Sequence, residues 1–145
     1  MKVAAALIGQ ITLAGCGLIS PAGTVVSPVE VRQNIQALDG KVVTVEGWIG
    51  RCDATNCGLY ASLEDAELVE DWRPKDNGRP SDAWYAAMNR RVSIGGNAWF
   101  DFRVQFFAMS KVKVRGRIDS YCRTEGVFCF DRANELEPVQ FYPFS

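Results

Sequence analysis

The chain has 145 residues, of which 48% are hydrophobic and 23% are charged, as in an ordinary globular protein with one core. Its formal net charge of −1 gives no global attraction for polyanions, so nucleic-acid binding would have to rest on a local patch. The absence of histidine excludes Ser-His-Asp and Cys-His arrangements and most metal-activated hydrolysis. The composition therefore favours a protein that is not an enzyme and uses no cofactor.

The first residues form a segment of their own. Lys2 is followed by a short, mostly apolar run that ends in LAGC, with the cysteine at position 16. This run resembles a bacterial lipoprotein signal, which is cut before the cysteine. The resemblance implies a signal peptide over residues 1–15, lipidation of Cys16, a lipidated tether over 16–27 and a domain over 28–145. It also implies an outer-membrane lipoprotein facing the periplasm, because glycine and not aspartate follows the cysteine. A plain secretory signal with an incidental cysteine is the alternative.

The domain is predicted to begin with a helix and two strands. Ser27 can cap a helix whose first position suits Pro28, and Gly40 is a good helix end. In the alternating segment that follows, the central Gly47 weakens a flat strand but permits a sharp bend or a bulge. We predict a helix over 28–38 and strands over 41–50 and 58–64.

Four further cysteines form two close pairs in the chain: Cys52, Cys57, Cys122 and Cys129. An even number of cysteines in an exported chain predicts two disulfides. We favour Cys52–Cys57 and Cys122–Cys129, each closing a loop beyond a strand. A four-cysteine zinc site is the alternative, but the gaps of four and six residues do not match the usual gap of about two to four between paired zinc ligands.

A long segment, residues 64–91, separates the second strand from the third. It starts with the acidic run EDAELVED, continues through a loop rich in Pro, Gly, Asn and Asp, and ends in SDAWYAAMNRR, a short helix that Ser81 could cap. The acidic run is interpreted as a solvated loop. Its carboxylates could hold Ca²⁺, but their spacing is not that of a calcium-binding loop. A short third strand is predicted over 91–95.

The segment over residues 97–109 fits two patterns. Strict alternation with polar residues indicates a strand and is carried by Phe100, Phe102, Val104 and Phe106. A helical stripe, which Asn97 could cap, is carried by Trp99, Phe102, Phe106 and Met109. The local pattern alone leans to a strand. Two more strands are predicted over 111–119 and 136–142, and Pro138 places the last one at a sheet edge or a bulge.

Two lines of the sequence repeat one phrase. VTVEGWI starts at Val43 and VKVRGRI starts at Val112, and both are similar to the phrase L-x-G-K-x-V-x-V-x-G of small bacterial OB-type domains. With its cysteines, the chain resembles small uncharacterised exported OB-fold-type lipoproteins of proteobacteria, a family from which no activity carries over. The resemblance implies a mainly β fold with one or two helices: a five-stranded Greek-key barrel with an N-terminal helix and a long insertion between strands two and three. It also implies a helix over 97–109 and adjacent first and fourth strands.

Two aromatic residues are candidates for ligand binding. Trp48 and Tyr60 fall on the non-core face of the first and second strands by the alternation of side chains. OB-folds bind ligands on the outer face of their second and third strands, where an aromatic ring could stack on a base or a sugar. The alternative is that the 64–91 insertion folds over this face and buries it.

Basic residues along the fourth strand are the second set of candidates: Lys111, Lys113, Arg115 and Arg117. Nucleic-acid binding needs a row of this kind. A solvated or paired face is the simpler interpretation, because Glu46 and Thr44 lie on the neighbouring first strand. The sequence thus predicts a non-catalytic binding or interaction module for a protein, a glycan or a small ligand. The alternatives are a nucleic-acid-binding OB domain and a metal-dependent enzyme using the acidic 64–71 segment.

Overall fold

The computed structural model describes residues 25–72, 78–127, 129 and 132–143. Within these ranges the fold is mixed α/β, with a six-stranded open sheet that is antiparallel apart from its first short strand. The strands are β1 (Val25–Val26), β2 (Val42–Ile49), β3 (Gly58–Tyr60), β4 (Val92–Ser93), β5 (Lys111–Ile118) and β6 (Leu136–Tyr142). The helices are α1 (Pro28–Gln33), α2 (Ile35–Leu38), α3 (Leu63–Glu70), α4 (Asp82–Arg90) and α5 (Ala98–Val104). In the part of the chain described, no helix is long and apolar enough to cross a membrane.

The expectation of a mainly β fold with one or two helices is met only in part. The sheet is present, but the segment between β3 and β4 forms two helices, and the predicted first helix is split in two. The split falls at Asn34, whose φ of −121° and ψ of 18° are not helical. The start of α1 is as predicted: Ser27 Oγ accepts from the Glu30 N–H, and the Glu30 carboxylate accepts from the Ser27 N–H at 2.6 Å.

The strand order is β4-β3-β2-β5-β6, and β1 pairs in parallel with β2. The repeated phrases lie side by side, since β2 and β5 pair antiparallel with Val45 opposite Val114. The predicted adjacency of these two strands is therefore confirmed. An isolated parallel bridge joins Ile94, just after β4, to Leu136 at the start of β6, so the two ends of the strand order meet.

Each repeated phrase contains a glycine where the backbone of another strand comes close. A Cβ atom at Gly47 would lie 2.7 Å from the Tyr60 carbonyl oxygen on β3. A Cβ at Gly116 would contact the Glu137 carbonyl oxygen on β6, at a register shift between Arg115 and Gly116. The bend or bulge expected at Gly47 is not seen in the pairing of β2 with β5, which passes Gly47 without a register shift, whereas Gly116 of β5 does lie at such an irregularity.

The core lies on one side of the sheet and is closed by α1, α2 and α5. Alternate residues of β2 and β5 point into it, as the period of two predicts. The buried apolar residues of these two strands and of α5 are Val43, Val45, Ile49, Val112, Val114, Ile118, Phe100 and Val104. Full burial of a side chain of this type stabilises the fold by about 1.5–3 kcal/mol.

The segment after β4 is helical, as the OB-type resemblance implies, and the strand favoured by its local pattern is wrong. Asn97 Oδ1 accepts hydrogen bonds from the backbone N–H groups of Trp99 and Phe100, which starts α5. A 3-10 turn over Gln105–Phe107 continues the helix. The predicted second strand is also shorter than expected, because it ends at Tyr60, just before Ser62 caps α3.

Candidate functional site

The lysines of the basic row on β5 face away from the core and are paired. The Glu46 carboxylate on β2 lies 2.6 Å from Lys111 Nζ and 3.3 Å from Lys113 Nζ. The hydrogen bond from Lys111 is the largest of the effects that lower the pKa of Glu46. The pairing with Glu46 predicted from the sequence is therefore present.

The arginines of the row, both predicted ligand candidates, lie opposite β6. Arg115 Nη1 donates to Gln140 Oε1 at 3.1 Å, and Arg117 Nε lies 3.9 Å from Glu137 Oε2. Both side chains of the Arg117–Glu137 pair are 62% exposed, and pairs of this kind contribute at most about 1 kcal/mol. The row as a whole is a solvent-facing surface with most of its cations next to polar or acidic partners.

Trp48 and Tyr60 are opposite each other on β2 and β3, as their positions predict, but only Trp48 reaches solvent. Trp48 is half-buried, whereas Tyr60 is 0% exposed because α3 packs against β3. The prediction that Tyr60 presents an open ring to a ligand is therefore wrong. The insertion covers this part of the sheet, in agreement with the alternative interpretation.

The Tyr60 hydroxyl is held in a small polar cluster under the insertion. It donates to Glu70 Oε1 at 2.8 Å and lies 3.3 Å from Arg91 Nη1, which also donates to Asn56 Oδ1 at 2.6 Å. Burial raises the pKa of Tyr60 to about 12, with Glu70 adding to the effect and Arg91 opposing it. The cluster joins β3 to α3 and to the segment before β4.

The acidic segment forms α3 and is not a loop. Ser62 Oγ accepts from the Asp65 backbone N–H at 3.1 Å, and the Asp65 carboxylate is held by Arg90 of α4, with Nη2 2.5 Å from Oδ1. Asp71, just after α3, accepts from Arg51 at 2.9 Å. Carboxylates of this segment thus connect elements of the fold. No cluster of three or more His, Cys, Asp or Glu suited to a metal ion is found among the residues that the structure describes.

Both favoured disulfides are present. Cys52–Cys57 closes the loop between β2 and β3, with Cα atoms 4.2 Å apart, and Cys122–Cys129 closes a loop between β5 and β6, with Cα atoms 5.6 Å apart. Cys16, the predicted lipidation site, lies outside the described residues, as does the signal segment before it.

Helix α5 has one face in the core and one in solvent. Phe100 and Val104, one turn apart, are buried, whereas Trp99, Phe102 and Phe106 are 67%, 58% and 69% exposed. These last three residues are called the aromatic face below. The rings of Phe102 and Phe106 pack edge to face with centroids 5.7 Å apart. Contiguous exposed apolar side chains mark interaction sites more reliably than single ones do.

A groove of about 320 Å³ lies beside the aromatic face, between α5 and β6. Trp99 and Arg103 form part of its α5 wall, and the run Pro138–Tyr142 forms its β6 wall. Val139 has no partner residue on β5, because Gly116 is opposite Pro138 and Arg115 is opposite Gln140. Its side chain is 63% exposed in this wall. The predicted edge or bulge position of Pro138 is therefore confirmed.

Arg103 lies near two aromatic rings of this groove. Its guanidinium carbon is 5.6 Å from the Trp99 ring centroid and 5.7 Å from that of Phe141. Within the described part of the chain, no hydrogen bond or ion pair to the guanidinium is found. The acid on the same helix, Asp101, is bound elsewhere, with its Oδ1 2.6 Å from Arg132 Nη2.

Arg132 fixes α5 to its surroundings. Its side chain is only 6% exposed and donates to the carbonyl oxygens of Ile94 at 2.7 Å, Gly95 at 3.0 Å and Asp53 at 3.0 Å, besides Asp101. One side chain thus ties the first disulfide loop, the end of β4 and α5 together. These contacts fix the position of α5, which carries part of the aromatic face and one wall of the groove.

Comparisons of the chain with protein-family models, with curated proteins and with solved structures find no match. The candidate surface therefore rests on the geometry of the chain alone.

Sequence reasoning did not identify Arg103 or the groove, because the groove needs β6 beside α5, some 35 residues apart in the chain. The helical stripe was visible in the sequence, but a stripe alone does not tell on which side the core lies.

Proposed function

We propose that the protein is a non-catalytic, lipid-anchored module of the cell envelope that binds a partner protein through the aromatic face of α5. The observation that carries the proposal is the exposure of Trp99 and Phe102 on α5 and of Phe106 on the 3-10 turn that continues it, each of them more than half exposed. Aromatic side chains are enriched in the buried centres of protein–protein interfaces. A partner would remove this surface from water.

The domain is proposed to be an OB-type barrel. The strand order β4-β3-β2-β5-β6, with the parallel bridge between Ile94 and Leu136, is the order expected of a five-stranded Greek-key barrel that closes between its third and fifth main strands. The position of α5 between β4 and β5 is consistent with the same architecture. These features support the OB-type assignment.

The envelope location is proposed from the LAGC box that ends at Cys16. Nine residue steps separate Cys16 from Val25 at the start of β1, a contour of at most about 32 Å. An anchored domain would therefore stay close to the membrane surface. Mass spectrometry of the protein from its native envelope should find the acyl modification at Cys16, and Cys16→Ser should release the protein from the membrane fraction. Retention of the Cys16→Ser variant in membranes would remove the anchor from the proposal.

Nucleic-acid binding by β5 is less well supported than protein binding. Glu46 pairs with Lys111 and Lys113, which removes net positive charge from the row. The remaining cations would have to bind phosphates against the acidic Glu137 beside Arg117.

Site-specific photocrosslinking in native cells tests the proposed interface. A photoreactive phenylalanine analogue is placed at Phe102 or Phe106, and at Tyr121 as the control. Tyr121 is 65% exposed but follows the far end of β5 from α5. We expect a discrete protein adduct at positions 102 and 106 and none at 121. Equal labelling at the three positions, or no adduct at any of them, would contradict the proposal.

A further inference from the structure

The groove between α5 and β6 has in its wall an arginine, Arg103, that no described residue pairs by a hydrogen bond or a salt bridge. The guanidinium carbon of Arg103 lies 5.6 Å and 5.7 Å from the ring centroids of Trp99 and Phe141, within the range of cation–π contacts, and such contacts use none of its N–H donors for hydrogen bonds to oxygen. A guanidinium carries five N–H donors in one plane, and those of Arg103 have no hydrogen-bond partner among the described residues. Such a group is prepared to bind two oxygen atoms side by side.

The charge around Arg103 favours an anion. The described residues that line the groove include no aspartate or glutamate, and the polar residues Asn97 and Gln140 among them are neutral. Gln140 in turn accepts from Arg115, which brings a second cation to the β6 side. A carboxylate fits the fork of a guanidinium through two parallel hydrogen bonds, which is the strongest form of this contact.

The shape of the groove favours an extended chain. β6 is the last strand of the sheet order, so one of its two edges does not pair with β5. On that edge, the described backbone hydrogen bonds involve only the start of the strand, where the Gly95 N–H donates to the Leu136 carbonyl oxygen at 3.0 Å. The residues Val139–Tyr142 therefore offer peptide groups along one wall, while Pro138 has no N–H to offer. An extended peptide can add to such an edge and place alternate side chains in the groove.

We infer that this groove binds an extended acidic segment of the partner protein, with a carboxylate on Arg103 and an apolar side chain against Trp99 and Val139. The inference rests on the proposed function and adds the chemistry of the partner. Trp99 belongs to both the aromatic face and the groove, so one partner can cover both surfaces.

The test is selection of octapeptides from a random displayed library on the immobilised full-length protein. We expect the selected peptides to share an aspartate or glutamate next to an apolar residue. Synthetic copies should bind with affinity that falls about tenfold or more when the acid is replaced by its amide or when the protein carries Arg103→Gln. Arg117→Gln, which removes an exposed cation outside the groove, should leave the affinity unchanged.

A second pair of variants keeps the test decisive if Arg103→Gln disturbs the packing of Phe141. Val139→Asp places a carboxylate in the groove wall at an exposed position, and Val139→Asn places a neutral group of the same shape there. Val139→Asp should lower the affinity for the acidic peptides about tenfold, because the new carboxylate competes with them for Arg103. The Val139→Asn variant should bind these peptides nearly as well as the native protein does. Equal affinities of the two variants would overturn the inference.

Other occupants give other results. Vesicles of phosphatidylglycerol that bind the protein in an Arg103-dependent manner, with no peptide selected, would assign the groove to a lipid phosphate and overturn the inference. Self-association that is lost in Val139→Asp, again with no peptide selected, would assign it to a second copy and likewise overturn it. If crosslinks form at Phe102 while binding of the partner survives Val139→Asp, the proposed function stands and the acidic-segment inference fails.

Discussion

Arg32 on α1 reaches the carboxylate of Glu135, just before β6, with Nη1 2.9 Å from Oε1. Glu135 is 0% exposed, and its carboxylate also accepts from Arg123 and, at 2.8 Å, from the Ser93 backbone N–H on β4. One buried carboxylate thus joins the first helix, the loop of the second disulfide and the bridge that connects β4 to β6. Both of its oxygens accept from groups of these elements, so we assign it a structural role.

Glu135→Gln should lower the free energy of unfolding by about 3 kcal/mol, because two arginines then face a neutral amide in a buried site. Urea denaturation followed by tryptophan fluorescence measures the change. The matched control is Glu137→Gln, which alters a 62% exposed carboxylate two residues away and should cost no more than about 0.5 kcal/mol. Similar costs for the two variants would show that Glu135 does not hold these elements together.

Stability should fall in alkaline solution because of Tyr60. Burial, the largest cause, raises the pKa of Tyr60 to about 12, whereas the same phenol ionises near pH 10 in the unfolded chain. The contribution of the neutral phenol is therefore complete below pH 10 and is lost as the pH rises towards 12. By pH 11 the loss should be about 1 kcal/mol, seen as a shift of the urea midpoint.

The Tyr60→Phe variant should not show the part of the alkaline loss of stability that comes from Tyr60. The Tyr85→Phe variant, which changes a 51% exposed position, should still show it. Absorbance near 295 nm should show one tyrosine of the folded protein that ionises only well above pH 10. Absence of such a late-ionising tyrosine in the folded native protein, or its persistence in Tyr60→Phe, would contradict the buried position of Tyr60.

Local signals in the sequence predicted the elements whose cause is local. The caps Ser27, Ser81 and Asn97 each accept a backbone N–H at the start of a helix, and the alternation of apolar residues gave the core face of β2 and β5. The helix α3 was missed because its charged sequence has the composition of a solvated loop. Its Asp65 is buried by a contact with Arg90, 25 residues away, and no local pattern carries that information.

The candidate site could be predicted only in part for the same reason. The alternation of side chains along a strand placed Tyr60 on the correct face of β3, but it could not show that α3 covers this face. Predicting the aromatic face requires two steps: residues 97–109 must be recognised as a helix, and the side of that helix that faces the core must be known. The second step depends on Phe100 packing against Phe141, with ring centroids 5.7 Å apart. Arg103 becomes a candidate only in the fold, where none of the described residues is a polar partner for it.

Gly47→Ala should destabilise the protein by about 1–3 kcal/mol, because the added methyl would lie 2.7 Å from the Tyr60 carbonyl oxygen and 2.9 Å from Pro28 Cγ. Neither β3 nor α1 can move away without loss of its own contacts. Gly96→Ala is the control, since nothing lies within 4 Å of a Cβ at that position. Thermal melting of the two variants should separate them by several degrees, and equal melting temperatures would contradict the close approach of β2 and β3.

The two faces of α5 should respond differently to loss of aromatic side chains. Phe100→Ala removes a ring that is 4% exposed and packs edge to face on Phe141, so it should cost about 3–5 kcal/mol. The double substitution of Phe102 and Phe106 by serine alters side chains that are 58% and 69% exposed and should change the free energy of unfolding by no more than about 1 kcal/mol. Urea denaturation measures both. A large loss in the double variant would mean that these rings stabilise the isolated domain, which would weaken their assignment to a partner.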